Sequence, residues 1–104
     1  MESSSSEKPY GLNSELINII KNTILNNVKT KKVILFGSRA TGKYSVTSDI
    51  DLAVDTDDDI SVIRGLLREE IPTLLKFDLV DLKNANDKLR KEIFEEGIVL
   101  YETV

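Results

Sequence analysis

A chain of 104 residues, 40% apolar and 31% charged, has the composition of a soluble globule, long enough for one domain with its own core and short for an enzyme carrying a separate substrate lobe. The absence of Cys and His excludes a disulfide framework, a thiolate nucleophile, zinc held by Cys or His, and Ser-His-Asp chemistry, leaving carboxylates, hydroxyls, Lys and Arg. A formal net charge of −4 argues against broad nucleic-acid binding, and no apolar run reaches the ~18 residues of a membrane span, so a cytoplasmic chain with no membrane partner is expected.

Residues 1–10, beginning with the polar run MESSSSEKP, read as a disordered tail, and residues 11–104 as a single domain. In LNSELINIIKNTILNNV the apolar residues 12, 16, 17, 19, 20, 24, 25 and 28 follow a helical period, with Asn13 or Ser14 as the cap. KKVILFGS is a β-branched and aromatic run ended by Gly37, a strand expected to be buried on both faces. SDIDLAVD alternates polar and apolar residues and predicts a second strand over Asp49 to Asp55. DDDISVIRGLLREEIP predicts a helix with three Asp in its first turn and Pro72 beyond its end. KFDLVDL is a third strand, NANDKLRKEIFEEG a helix stopped by Gly97, and IVLYE a short final strand or tail. The order α-β-β-α-β-α-β describes an α/β sandwich with a small mixed sheet packed with helices.

The stretch GSRATGKY has the Walker A spacing through Lys43, but Tyr44 stands where a Ser or Thr hydroxyl would ligate Mg²⁺. The next strand also follows too soon for the helix that motif requires. Gly37 and Ser38 can meet phosphate in another way: Gly lets the backbone approach closely, and a Ser hydroxyl with neighbouring amides can bind phosphate oxygens. Asp49 and Asp51, two apart on a predicted strand, project from one face with Cα atoms ~6.5–7 Å apart. Carboxylates so placed repel unless the face is solvated or a hard cation sits between them. KFDLVDL adds a third carboxylate, Asp78, or Asp81 on the opposite face by parity. The run DTDDD lacks the glycine and terminal Glu of a calcium loop and reads as helix capping, and Tyr44, Phe94 and Tyr101 read as packing residues.

With Phe36-Gly37-Ser38, ten intervening residues and Asp49-Ile50-Asp51-Leu52, GSRATGKYSVTSDIDLAV resembles the nucleotidyltransferase superfamily that includes DNA polymerase β. Its size and the G-S-R-x-x-G form look like the minimal nucleotidyltransferases, the MNT antitoxins paired with HEPN-domain toxins, over about residues 13 to 101. The resemblance implies a nucleotidyltransferase fold in which Gly37 and Ser38 hold the nucleotide phosphates, with Arg39 and Lys43 as further phosphate contacts. It implies that Asp49, Asp51 and Asp78 are catalytic and ligate two Mg²⁺ ions (or Mn²⁺), with Asp81 in reserve. Thr41 departs from relatives that read G-S-R-A-R-G and removes a cation. The function implied is AMP transfer from ATP to a hydroxyl, expected to be a Tyr, of a partner HEPN toxin, as the antitoxin of a type VII-like system and in a hetero-oligomer with that partner. A steric, non-catalytic antitoxin is the alternative, and transfer to RNA or a small alcohol is a more distant one.

Overall fold

The computed structural model describes residues 9–103. The apolar stripe of the first helix forms α1, Ser14–Asn27, and its cap is Asn13, whose side-chain oxygen accepts the Glu15 N–H at 2.7 Å. β1, Thr30–Phe36, is buried continuously from Val33 to Phe36, as its unbroken apolar run requires. A single turn of helix, α2, Ser38–Thr41, follows, and then β2, Ile50–Thr56. The chain continues through α3, Ile60–Glu70, β3, Phe77–Asp81, α4, Asp87–Glu96, and β4, Ile98–Glu102, so IVLYE is a strand.

The sheet order is β3-β2-β1-β4, with β2 and β3 parallel and the other pairs antiparallel, which is the mixed sheet expected. Strand parity divides the core into two layers. Val33 and Leu35 of β1, Ile50, Leu52 and Val54 of β2 and Leu79 of β3 pack with Ile17, Ile20 and Ile24 of α1 and Ile63 and Leu67 of α3. The intervening residues Ile34, Phe36, Ala53 and Val80 face the other way, against Ile93 and Leu89 of α4 and Leu82. Asp51 and Asp78 belong by parity to this second face, at the end where β2 and β3 begin.

Three boundaries differ from the sequence reading. β2 begins at Ile50, so Asp49 stands just ahead of the ladder. The three Asp expected in the first turn of α3 precede that helix. Asp59 is its N-cap and accepts the Ser61 N–H at 2.9 Å, Asp58 accepts the Lys29 N–H at 3.2 Å, and Asp57 lies 3.8 Å from Lys31 and 3.3 Å from Lys83. Capping and pairing therefore account for the run. Of the expected tail, residues 1–8 lie outside the described residues, while Pro9–Gly11 forms a 3₁₀ turn with Tyr10 at φ 61°.

α4 closes at Gly97, whose N–H donates to Ile93 O at 2.8 Å, and the close approach of this glycine to Ile34 sets the helix against the sheet. Its φ is ordinary, but an added Cβ would lie 2.3 Å from Ile93 O and 2.5 Å from the Ile34 Cγ2 methyl. Gly97→Ala is therefore expected to destabilise the protein by about 1–3 kcal/mol, the usual cost of overpacking. Denaturant unfolding checks this, and an unchanged midpoint would show that α4 can shift freely on the sheet.

Candidate active site

The site begins at the end of β1, where the chain must leave a buried strand without colliding with β2. Gly37 takes φ 77°, a conformation that costs glycine little. An added Cβ there would stand 2.1 Å from Asp51 Oδ2, so the carboxylate lies directly against the glycine backbone. α2 starts at once: Ala40 and Thr41 donate their N–H groups to Gly37 O at 3.1 and 3.2 Å, and Lys43 donates to Ser38 O at 3.0 Å across Gly42, which closes the turn at φ 86°. No helix follows Lys43, consistent with rejecting a Walker A loop. Ser38 is half-buried at the first position of the turn, while Thr41 and Lys43 are exposed. The Thr41 hydroxyl donates to Ser38 O at 3.3 Å.

The parallel ladder places Asp51 directly beside Asp78, and Asp51 is also the register partner of Phe36. Asp51 is half-buried and its pKa is pushed up to about 6, first by burial, then by the negative charges of Asp78 and Asp49, against a smaller opposing pull from Arg39. A side-chain hydrogen bond with Asp78 also favours the protonated form. Asp49, exposed ahead of the strand, acts on Asp51 through charge, and it lines a cleft of about 660 Å³ with Thr47 and the segment Pro72–Lys76. Among the described residues no three acidic side chains are gathered closely enough to hold an ion as they stand. The arrangement is a contacting pair with a third carboxylate beside it. Such an all-oxygen set, one member favoured in its protonated form by burial and then by its acidic neighbours, fits a hard divalent cation, which would relieve the repulsion.

Asp81 is spent elsewhere. It points off the opposite face by parity and caps the 3₁₀ turn Leu82–Asn84, accepting the Lys83 N–H at 3.1 Å and the Asn84 amide at 2.9 Å. Arg39 requires a correction. Expected as a phosphate contact in an open loop, it is 1% exposed, and its guanidinium is consumed by backbone carbonyls. Nε and Nη2 donate to Ser48 O at 3.1 and 2.9 Å, Nη2 also to Val46 O at 3.3 Å, and Nη1 to Tyr10 O at 3.0 Å. The Tyr44 ring covers it, 5.3 Å from Cζ. Arg39 thus clamps the loop leading to Asp49 onto α2 and onto the N-terminal turn. The sequence carried a signal for the end of the turn, Gly42 as its left-handed stop, and none for the inward direction of Arg39.

With this geometry in view, the sequence matches the family described as Polymerase beta, Nucleotidyltransferase over residues 18–104. The chain belongs to that family. A relative from Shewanella oneidensis, named Protein adenylyltransferase MntA, is 37% identical across 82% of this chain and 63% of its own length, so the chain spans somewhat less than two thirds of that nucleotidyltransferase. A crystal structure of a toxin-antitoxin with AMP-PNP superposes with a TM-score of 0.71 at 31% identity, over 84% of this chain and 73% of that one. A structure described as a tri-AMPylated Shewanella oneidensis HEPN toxin in complex with MNT antitoxin has a TM-score of 0.64 at 28% identity, over 86% of this chain and 72% of that one. Among the described residues no helix is long and apolar enough to cross a membrane.

Two measurements test this candidate site. Because the folded pKa of Asp51 lies above its ordinary value of 3.8, the stability it confers is full below about 4 and is lost as pH rises through about 6. Asp51→Asn should therefore raise the melting temperature of the metal-free protein by a few degrees at pH 7 and have little effect near pH 4; equal melting at pH 7 would deny the repulsion. Arg39→Met leaves three buried or half-buried carbonyls without their charged donor and should cost about 1.5–3 kcal/mol in urea unfolding. Arg39→Lys should recover only part of that loss, since an ammonium lacks the planar fork.

Proposed function

We propose that this nucleotidyltransferase moves an adenylyl group from ATP to a hydroxyl of a partner HEPN-domain toxin, most simply a Tyr, and so acts as the antitoxin of a type VII-like pair. The observation that carries the reading is the Asp51–Asp78 pair, side by side on parallel strands and backed by Gly37. The similarity to proteins named for protein adenylyl transfer, and to a complex containing an AMPylated HEPN toxin, supports the choice of donor and acceptor.

Gly37 and Ser38 would receive the nucleotide's phosphates. Gly37 has no side chain to hold them off, and the first N–H groups of a helical turn have no intrahelical partners. Asp49, Asp51 and Asp78 would hold Mg²⁺, two ions in the complete site or Mn²⁺ in its place, whose chemistry is to offset charge on phosphate oxygens. The acceptor hydroxyl oxygen attacks the α-phosphorus. A new O–P bond forms, the bond from the α-phosphorus to the bridging oxygen breaks, and pyrophosphate departs with that electron pair. Asp78, the more exposed member of the pair, would take the hydroxyl proton. Arg39 contributes by fixing the loop that carries Asp49, and Lys43, exposed just past α2, is the loop cation open to the triphosphate.

The test uses labelled ATP, Mg²⁺ and the cognate HEPN protein. Wild type should label the partner, and Asp49→Asn and Asp51→Asn should each lower the rate at least ~100-fold, the scale for losing one electrostatic group at a phosphoryl-transfer site. Neutralisation that survives in the double variant, with no label transferred by wild type, would make this chain a steric antitoxin instead.

A further inference from the structure

A second cleft adjoins the site just described. It lies between α3 and the start of β3, holds about 450 Å³, and is lined by Arg64, Leu67, Arg68, Leu74, Lys76 and Phe77 among others. Its wall is the segment Thr73–Lys76, whose other side bounds the cleft that contains Asp49. The two clefts therefore adjoin along one short segment, which puts a ligand seated in the first next to the cleft that Asp49 lines.

The chemistry of this cleft is opposite in sign to the chain as a whole. Three cations rim an apolar floor on a protein of formal net charge −4. Elsewhere Lys31, Lys32 and Lys83 sit within 4 Å of carboxylates, whereas among the described residues Arg64, Arg68 and Lys76 do not. Asp59 lies nearby, but it is held below its ordinary pKa first by its bonds from Ser61 and least by Arg64, because it is occupied in capping α3. Arg64 and Arg68 stand one helical turn apart, a like-charge pair that an acidic ligand would relieve. The most exposed large apolar side chains among the described residues are Leu74 at 103% and Val46 at 86%; Leu74 lines both clefts, and Val46 precedes Thr47 at the mouth of the second. Exposed leucine and valine beside a catalytic cleft suit a protein surface better than a nucleotide. The feature suited to phosphate is the Gly37–Ser38 turn, not a rim of long side chains on an apolar floor.

We propose that the cleft between α3 and β3 docks an acidic, apolar-anchored segment of the acceptor protein, and that this segment leads the reacting hydroxyl past Thr73–Lys76 to Asp49. The proposal rests on the adenylyltransferase reading for the identity of the acceptor. Its charges set encounter and register, and Leu74 supplies the apolar anchor.

The experiment measures transfer kinetics with the full chain and the intact cognate HEPN protein. Arg64→Glu/Arg68→Glu should raise KM for the partner about tenfold or more while leaving KM for ATP and kcat unchanged. Arg64→Lys/Arg68→Lys should stay near wild type, and Leu74→Ala should raise KM for the partner alone. Added salt should weaken partner binding by wild type and not by the charge-reversed variant. An unchanged KM for the partner in the charge-reversed and Leu74 variants overturns the proposal, as does a rise in KM for ATP, which would make the cleft a nucleotide site. If wild type transfers no label, the adenylyltransferase reading falls by itself. Calorimetric affinity for the same partner then decides the docking surface, which stands on a loss of about tenfold in the charge-reversed variant and falls on equal affinity.

Discussion

Two carboxylates placed side by side on adjacent parallel strands are the constraint around which this structure is arranged. Asp51 and Asp78 occupy paired register positions, one half-buried and the other open, and a protein that puts them there accepts repulsion in its resting state. The pKa of Asp51 is pushed up to about 6, first by its burial and then by the negative charges of Asp78 and Asp49. Repulsion of this kind is tolerable in a site meant to hold positive charge, since a cation reverses the sign of the interaction. The hydrophobic layers on both faces of the sheet supply the rigidity that keeps the two side chains from separating.

The neighbouring parts follow from the same constraint. Gly37 must lack a Cβ because Asp51 Oδ2 occupies that space, and its positive φ starts α2 immediately against the end of β1. The loop from Ser45 to Asp49 has no regular structure to hold it, and Arg39 does that work from inside, donating to carbonyls of the loop and of the N-terminal turn. A guanidinium can satisfy several carbonyls in fixed directions at once, which suits it to holding irregular backbone. The buried cation also opposes the rise in the Asp51 pKa, so the clamp and the acidic pair are electrically linked as well as covalently close.

On the far side of Asp49 the molecule changes character. The segment Thr73–Lys76 is shared by the cleft that Asp49 lines and by one that Arg64, Arg68 and Lys76 make cationic. Exposed Leu74 and the basic rim lie beside the cleft that Asp49 lines.

Periodicity and local chemistry were sufficient for most of the architecture. The helical spacing of the first apolar stripe, the continuous run VILF, the cap Asn13 and the stop at Gly97 all depend on near neighbours, and each appears where its sequence places it. The glycine turn at Gly37 and the place of Asp51 on its strand were legible for the same reason, whereas Asp49, expected on that strand, stands just ahead of it. Other features depend on contacts between residues far apart in the chain. Strand parity left Asp78 and Asp81 both open, and only the parallel register set Asp78 against Asp51 while Asp81 turned to cap the next 3₁₀ turn. An arginine in a polar loop looks like a solvent-facing phosphate ligand until Tyr10, 29 residues earlier, offers its carbonyl. The cationic cleft joins a helix face to a segment that follows Pro72, and no periodic signal links them. Composition and spacing by themselves determined the elements and the chemistry available to this protein; the tertiary structure alone decided which charges meet, because register and burial are properties of the folded sheet and not of any stretch of the chain.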